Sequence, residues 1–341
     1  MNILHLPYND ANVAWSQVRA LKDLGEQADL LTVHKSPLVN DGNIDLSFYF
    51  HNSMYRNAQK WVFFLRDFRR YDIFHYHSAR SLLDYKAGNF SLIDFRIASK
   101  FRPVFSTFHG CDIRDFQKGS CPIPCGNPVC RLVDRHKCFD EIVALSAVSY
   151  VTTPDLLRVN EKFKYMPQSV YGLDSITPLP PESSERTRIV HMPSSSSIKG
   201  TAFVLNACDL LKEEGLDFEL VLVRDIPHPE ALAILDTADI VIDQLLAGWY
   251  GVLAVEAAIR AKPVVVNLAK EYLSRVDIRP PFINACPDSL VDTLRKLIIE
   301  KHMLAKIGMD SREYVSEVHN ALTHARILMQ DYKSVCESDH V

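Results

Sequence analysis

The sequence predicts an α/β protein made of two doubly wound halves, and three observations carry that expectation. Short apolar runs alternate with segments of helical length and spacing, the order that a parallel sheet covered by helices on both faces requires. Residues 170–186, VYGLDSITPLPPESSER, break the alternation with three prolines and two adjacent serines, the composition of a surface connection. A second alternating series of the same kind then begins.

In the first series, residues 2–6 read as a strand, and 12–24 have helical spacing with Gly25 placed as a C-cap. Residues 28–33, 73–77, 104–107 and 147–152 are further strands. In the second series, 189–192 is a strand, 201–214 a helix and 219–223 a strand. Residues 229–238 form a helix with Pro229 in its first turn, 240–243 a strand, 252–261 a helix and 263–266 a strand. Residues 288–335 read as helical throughout. The expected organisation is an N-terminal Rossmann-like domain over 1–170, a linker over 171–186 and a second Rossmann-like domain over 187–318. A C-terminal helix over 319–341 is expected to return to the N-terminal domain. Such halves place a ligand cleft at the carboxyl ends of their strands. At this level dehydrogenases, epimerases and binding proteins fit as well.

Composition narrows the class. Apolar residues make up 47% of the 341 and charged residues 23%, ordinary values for a globular chain with a full core. The net charge of −4 supplies no global field for nucleic acid. The charge is uneven: residues 1–170 carry 21 Lys and Arg against 17 Asp and Glu, and the remainder 17 against 25. A mildly basic first half suits an anionic partner, and surface drift between two domains explains it equally. The start, MNILHLPYND, lacks the basic region and apolar run of a signal peptide, and no apolar stretch approaches a membrane span. A cytoplasmic protein is expected, with its eight cysteines reduced or metal-bound.

The segment Gly248-Trp-Tyr-Gly-Val-Leu-Ala-Val-Glu256 is the most informative. Gly251 ends a turn and opens a helix, so its amide and those of Val252 and Leu253 are placed to bind a phosphate, aided by the helix dipole. Glu256, just over one turn in, suits a ribose, whose hydroxyls a carboxylate can accept. A plain helix–strand unit with a surface glutamate is the other reading.

This segment resembles the donor-binding core of the family-4 retaining glycosyltransferases of the GT-B fold, two Rossmann-like domains facing each other across a cleft. That family has two glutamates seven residues apart, then Ala and a Lys-Pro-Val strand. Glu256 matches the second, the ribose ligand, and Lys262-Pro-Val matches the strand, whereas the first glutamate falls at Gly248. In Ser194-Ser-Ser-Ser-Ile-Lys199-Gly200 the Lys-Gly pair matches the family's diphosphate contact, with serine at the arginine position. His109, directly after a strand in Phe105-Ser-Thr-Phe-His-Gly-Cys-Asp112-Ile-Arg114, resembles the family histidine near the donor sugar. Asp112 and Arg114 then bind acceptor or brace that loop, and His75 and His77 are packing or cleft-lining residues.

The resemblance implies retaining transfer from a nucleotide-diphosphate sugar to a glycan or lipid-linked acceptor in surface-polysaccharide synthesis. His109 and Lys199 are the expected catalytic residues, and Lys199, Gly251, Val252, Leu253 and Glu256 the expected donor ligands. No Asp-x-Asp pair marks a catalytic metal, so neither a divalent ion nor a cofactor is expected. A sugar-nucleotide epimerase and an inactive GT-B partner subunit remain as rivals. A nicotinamide dehydrogenase is disfavoured because no G-x-G-x-x-G follows either first strand.

Two features stand apart. Cys121, Cys125, Cys130 and Cys138 fall within 18 residues and suit either structural zinc or unliganded thiols. Residues 56–70 form a basic amphipathic segment. Trp61, Phe64, Leu65 and Phe68 share one face, with Arg56, Lys60, Arg66, Arg69 and Arg70 against Asp67. Peripheral contact with an anionic membrane and ordinary packing into the first domain are its two readings.

Overall fold

The computed structural model of the chain describes residues 1–34, 40, 42–46, 53–83, 92–114, 133–182 and 186–338, with 53–56 and 133–138 described by backbone alone. These residues form two compact units. One comprises residues up to Tyr171 together with those from Asn320 onward, the other Gly172–His319.

The first unit holds seven parallel strands: β1 (Asn2–Leu6), β2 (Gln27–Thr32), β3 (Ile44–Asp45), β4 (Ile73–His77), β5 (Val104–Phe108), β6 (Val148–Val151) and β7 (Lys164–Tyr165). Their spatial order is β3-β2-β1-β4-β5-β6-β7, so the direction of winding reverses between β1 and β4. In open α/β sheets ligands bind outside the carboxyl ends of the strands at such a reversal. Both sheet faces are covered, which is why β4 is buried at all five positions. Leu4, Leu6, Phe74, Tyr76, Val104 and Phe108 pack on one face beneath the helices Ser53–Asp67, Ile93–Phe101 and Val133–Leu145. Ile3, Ile73, Phe105 and Tyr150 pack on the other, beneath Val13–Asp23 and Ala321–Ser338. The last helix is also fixed by polar contacts: Tyr150 Oη and Lys164 Nζ both donate to Asp331, at 2.6 and 2.7 Å.

The second unit holds five parallel strands: β8 (Thr187–His191), β9 (Phe218–Leu222), β10 (Ile240–Ile242), β11 (Val264–Val266) and β12 (Ile283–Asn284). Their order, β12-β11-β10-β8-β9, reverses between β8 and β10. β10 and β11 are entirely buried, and their isoleucines and valines suit a central parallel strand.

The helical segment 288–335 comprises three helices, Leu290–Ile299, Leu304–Val318 and Ala321–Ser338. The last break has a local cause, because Asn320 Oδ1 accepts the Leu322 and Thr323 amides as an N-cap. The middle helix lies against the turn after Ile259 at Gly308, where a Cβ would stand 1.9 Å from the Ala261 carbonyl oxygen. In the helix Ser53–Asp67 and the turn after it, Trp61, Phe64 and Phe68 pack into the core, but Leu65, expected on the same face, is 71% exposed and corrects that expectation. The buried stripe runs through Phe63, Phe64 and Asp67, and at 100° per residue Leu65 falls outside it.

Candidate active site

In the first unit, β5 ends at Phe108 and the chain turns at once, which puts His109 at the carboxyl edge of the sheet beside the reversal point. The turn is held by Asp112, whose Oδ2 and Oδ1 accept the backbone amides of His109 and Gly110 at 2.9 and 2.6 Å. Arg114 is tied to buried Asp155 by two hydrogen bonds of 2.6 and 2.9 Å and also donates to Thr153 Oγ1. Both residues thus brace the loop. At Gly110 the backbone φ is +143°, and a Cβ would stand 2.7 Å from the Arg114 guanidinium, so glycine is needed there. His109 lines a cavity of about 250 Å³ with Tyr8, Asp10, Ser78, Arg80 and Asp112. The Ser78 hydroxyl donates to Asp10, and the Arg80 guanidinium lies 5.6 Å from the Tyr8 ring centre.

Behind His109 lies a stack of imidazoles. His5 on β1 and His75 on β4 are register partners, and His77 follows two residues on, on the same face. The rings stand 4.7 Å (His5–His75), 4.9 Å (His75–His77), 5.2 Å (His5–His77) and 5.4 Å (His77–His109) apart at nearly parallel angles. His5 Nδ1 is 3.0 Å from His77 Nε2, and His77 Nδ1 is 3.2 Å from His109 Nε2. His75 is bound instead to Tyr332 Oη at 2.6 Å and Thr107 Oγ1 at 2.7 Å. His5, His75 and His77 are fully buried, and burial pushes each below the ordinary histidine range, His5 to about 3. His75 and His77 are therefore interior residues.

In the second unit, four predicted residues gather at the carboxyl ends of β8 and β10. Lys199 is buried after β8, and its Nζ lies 2.5 Å from Asp243 Oδ1. Gly251 opens the helix Val252–Ile259, and its amide donates to Asp243 Oδ2 at 2.6 Å. The Gly251 amide is thus committed to Asp243 and not free, which corrects the expectation for that residue. Val252 and Leu253 follow as the first helical residues, whose amides have no intrahelical acceptor in any α-helix. A Cβ on Gly251 would sit 3.0 Å from Lys199 Nζ, so glycine lets the lysine approach the helix end.

Glu256 lies on that helix, half-buried, with Oε1 2.7 Å from Nε2 of His228, the first residue of the helix His228–Asp236. The hydrogen bond to Glu256 raises His228 above the ordinary histidine range. Gly248, where the resembling family carries glutamate, has φ +72°, and its would-be Cβ is 2.9 Å from the Tyr272 ring. Its carbonyl accepts the Ala269 amide at 2.9 Å. A side chain at position 248 would strain the backbone and collide with Tyr272, so the departure belongs to the shape of the loop.

Asp243, His228 and His5 were not singled out from sequence as site residues. Asp243 carried a signal, a carboxylate at the carboxyl end of the wholly apolar run Ile240–Ile242, where burial demands a counter-charge. Cys121, Cys125, Cys130 and the Cys138 side chain lie outside the described residues. Among the described residues, no group of three or more His, Cys, Asp or Glu is arranged to hold a metal ion. None of the described helices is long and apolar enough to cross a membrane.

No protein-family model matches the sequence, and no curated protein matches it. Solved structures do resemble it along its whole length. Sucrose-phosphate synthase from Thermosynechococcus elongatus superposes with a TM-score of 0.69 at 14% identity, covering 99% of this chain and 100% of that one. A glycosyltransferase from Rickettsia africae gives 0.64 at 15%, with 98% of each chain covered. HepE from Anabaena in complex with UDP and glucose gives 0.61 at 12%, covering 98% of this chain and all of HepE. These likenesses establish the fold, which is that of the GT-B glycosyltransferases.

Proposed function

We propose that the chain is a retaining glycosyltransferase that takes a nucleotide-diphosphate sugar and passes the sugar to a glycan or lipid-linked acceptor in surface-polysaccharide synthesis. The observation that carries this reading is the grouping of Lys199, the opening turn of Val252–Ile259 and Glu256 at the carboxyl edge of the second unit, in a chain with the GT-B fold. Lys199 and the Val252 and Leu253 amides meet the diphosphate, and their charge and dipoles stabilise it as it leaves. Asp243 holds the lysine in place. Glu256 accepts the ribose hydroxyls, with His228 occupying one of its oxygens. His109 contacts the donor sugar. Because a cation and amides meet the phosphate charge, turnover is expected to survive chelation of divalent ions.

The acceptor side has its own support. Val62 and Leu65 are exposed beside exposed Arg66, Arg69 and Arg70, the pattern of a helix resting on an anionic bilayer. The reading therefore places the protein in the cytoplasm at the inner face of the membrane. HepE is known with UDP and glucose bound, and an α-glucosyltransferase of similar fold with UDP, so UDP-sugars are the first donors to test.

Thermal-shift and turnover measurements with UDP-, GDP-, ADP- and CMP-sugars test the reading. One nucleotide-diphosphate sugar is expected to stabilise the protein and be consumed, and His109→Ala to lower turnover more than nucleotide affinity. Binding without turnover by any acceptor class would favour an inactive partner subunit, and conversion of the donor sugar without transfer an epimerase.

A further inference from the structure

A neutral imidazole carries one N–H and one lone pair. Burial keeps His77 neutral, yet both of its nitrogens are engaged, Nε2 with His5 Nδ1 and Nδ1 with His109 Nε2. It must donate in one hydrogen bond and accept in the other, so donation runs in a single direction along His5, His77 and His109. His75, stacked on both inner rings, takes no part, because its nitrogens are bound to Tyr332 and Thr107.

The inner end of the column decides the direction. His5 Nε2 is buried and has no hydrogen-bond partner among the described residues. If donation ran inward from His109, that nitrogen would carry an N–H with no acceptor among the described residues, the orphan that folded proteins avoid most strictly. If it runs outward, His5 keeps its proton on Nδ1 and gives it to His77, His77 donates from Nδ1 to His109 Nε2, and only a lone pair is left at the buried end.

We propose that His77, backed by His5, is a positioning residue that fixes neutral His109 as the Nδ1–H tautomer, so that the ring serves its ligand as a hydrogen-bond donor from Nδ1. The group recognised is then an oxygen acceptor such as a sugar hydroxyl or carboxylate; that identity rests on the proposed function, while the tautomer does not. An unconstrained histidine ring prefers the other tautomer, Nε2–H, so the column overrides the default through the hydrogen bond on the opposite nitrogen.

Long-range proton–nitrogen NMR of the full chain with 15N-labelled histidine reads the tautomer of each ring at neutral pH. In the native protein His109 is expected to show a protonated Nδ1 and a bare Nε2. His77→Phe, which removes the donor, is expected to move His109 to the Nε2–H form. His77→Asn, whose amide can donate from the place of Nδ1, is expected to retain Nδ1–H. A native His109 protonated at Nε2 would overturn the proposal, as would a tautomer that stays the same in folded His77→Phe. If that variant does not fold, the native spectrum and His77→Asn still decide. The readout needs neither donor nor acceptor, so its failure is distinct from a failure of the glycosyltransferase reading.

Discussion

At the carboxyl edge of the first unit's sheet three buried, neutral imidazoles stand stacked behind His109, beside a loop braced by Asp112 and the Arg114–Asp155 pair. At the same edge of the second unit an ion pair is buried, Lys199 against Asp243, together with the imidazole of His191, while the His228–Glu256 pair is partly exposed. Both edges are built alike, as winding reversals in parallel sheets. Topology therefore supplies the place, and the residues that end the strands supply the chemistry. On the proposed reading the imidazole column serves hydroxyl recognition by directed hydrogen bonds, and the lysine of the ion pair serves the diphosphate.

Three imidazoles that burial holds below the ordinary range at the edge of the first unit, against His191 at that of the second, make the first unit the more acid-sensitive of the two, and it should show the largest effect. His5, His75 and His77 have folded values below the unfolded value of 6.5, so the unfolded chain takes up protons first. Their stabilising contribution is complete above pH 6.5 and falls as pH drops toward the folded values, at up to about 1.4 kcal/mol per pH unit for each histidine. Hydrogen exchange followed by mass spectrometry from pH 7 to pH 5 should show β1, β4 and β5 losing protection before β8 and β10. Equal losses would mean that the column is not held neutral.

The second-largest effect concerns the buried ion pair. Asp243→Asn leaves Lys199 buried without its carboxylate and should cost about 3–5 kcal/mol of stability. Lys199→Met combined with Asp243→Asn removes both charges and should recover most of that loss, while turnover stays at least about 100-fold down because the leaving diphosphate has lost its cation. Recovery of turnover in the double variant would reduce Lys199 to a structural partner of Asp243.

Glu256→Ala should weaken nucleotide binding by about 1.5–3 kcal/mol, the scale of a hydrogen bond to a charged group. Calorimetry of the folded variant checks it, and unchanged affinity would remove Glu256 from the nucleotide site. The smallest effect is the second unit's own pH response. His228 has a raised folded value, so its contribution is complete below pH 6.5 and is lost as pH rises through that value. The pair is partly exposed and so worth at most about 1 kcal/mol. His228→Gln should flatten this shallow alkaline decline without touching the acid loss of the first unit.

The central strands were legible because parallel strands covered on both faces are written as continuous apolar runs, as at Ile240–Ile242 and Val264–Val266. β3, β7 and β12 were not, since two residues at a sheet edge leave no periodicity to read. The break after Ile299 was hidden because the intervening residues, Glu300 to Met303, include no Gly or Pro to mark it. In the candidate site, Lys199 and Glu256 could be found from local pattern. The carboxylate that holds Lys199 lies 44 residues away, and the histidine that holds Glu256 28 residues away. Contacts of that range belong to the fold and leave no mark on neighbouring residues. Gly248 shows the converse. The missing glutamate was plain in the sequence, but its reason, a left-handed backbone against Tyr272, was not.

The central claim is that the charged edge of the second unit takes a nucleoside diphosphate. Calorimetric titration of the full chain with UDP, GDP and ADP, each beside its monophosphate, tests it most directly. One diphosphate should bind, and its monophosphate at least about tenfold more weakly, because the proposed site gives the second phosphate to Lys199 and the helix amides. Equal affinity for the two, or no binding by any of the three pairs, would contradict it.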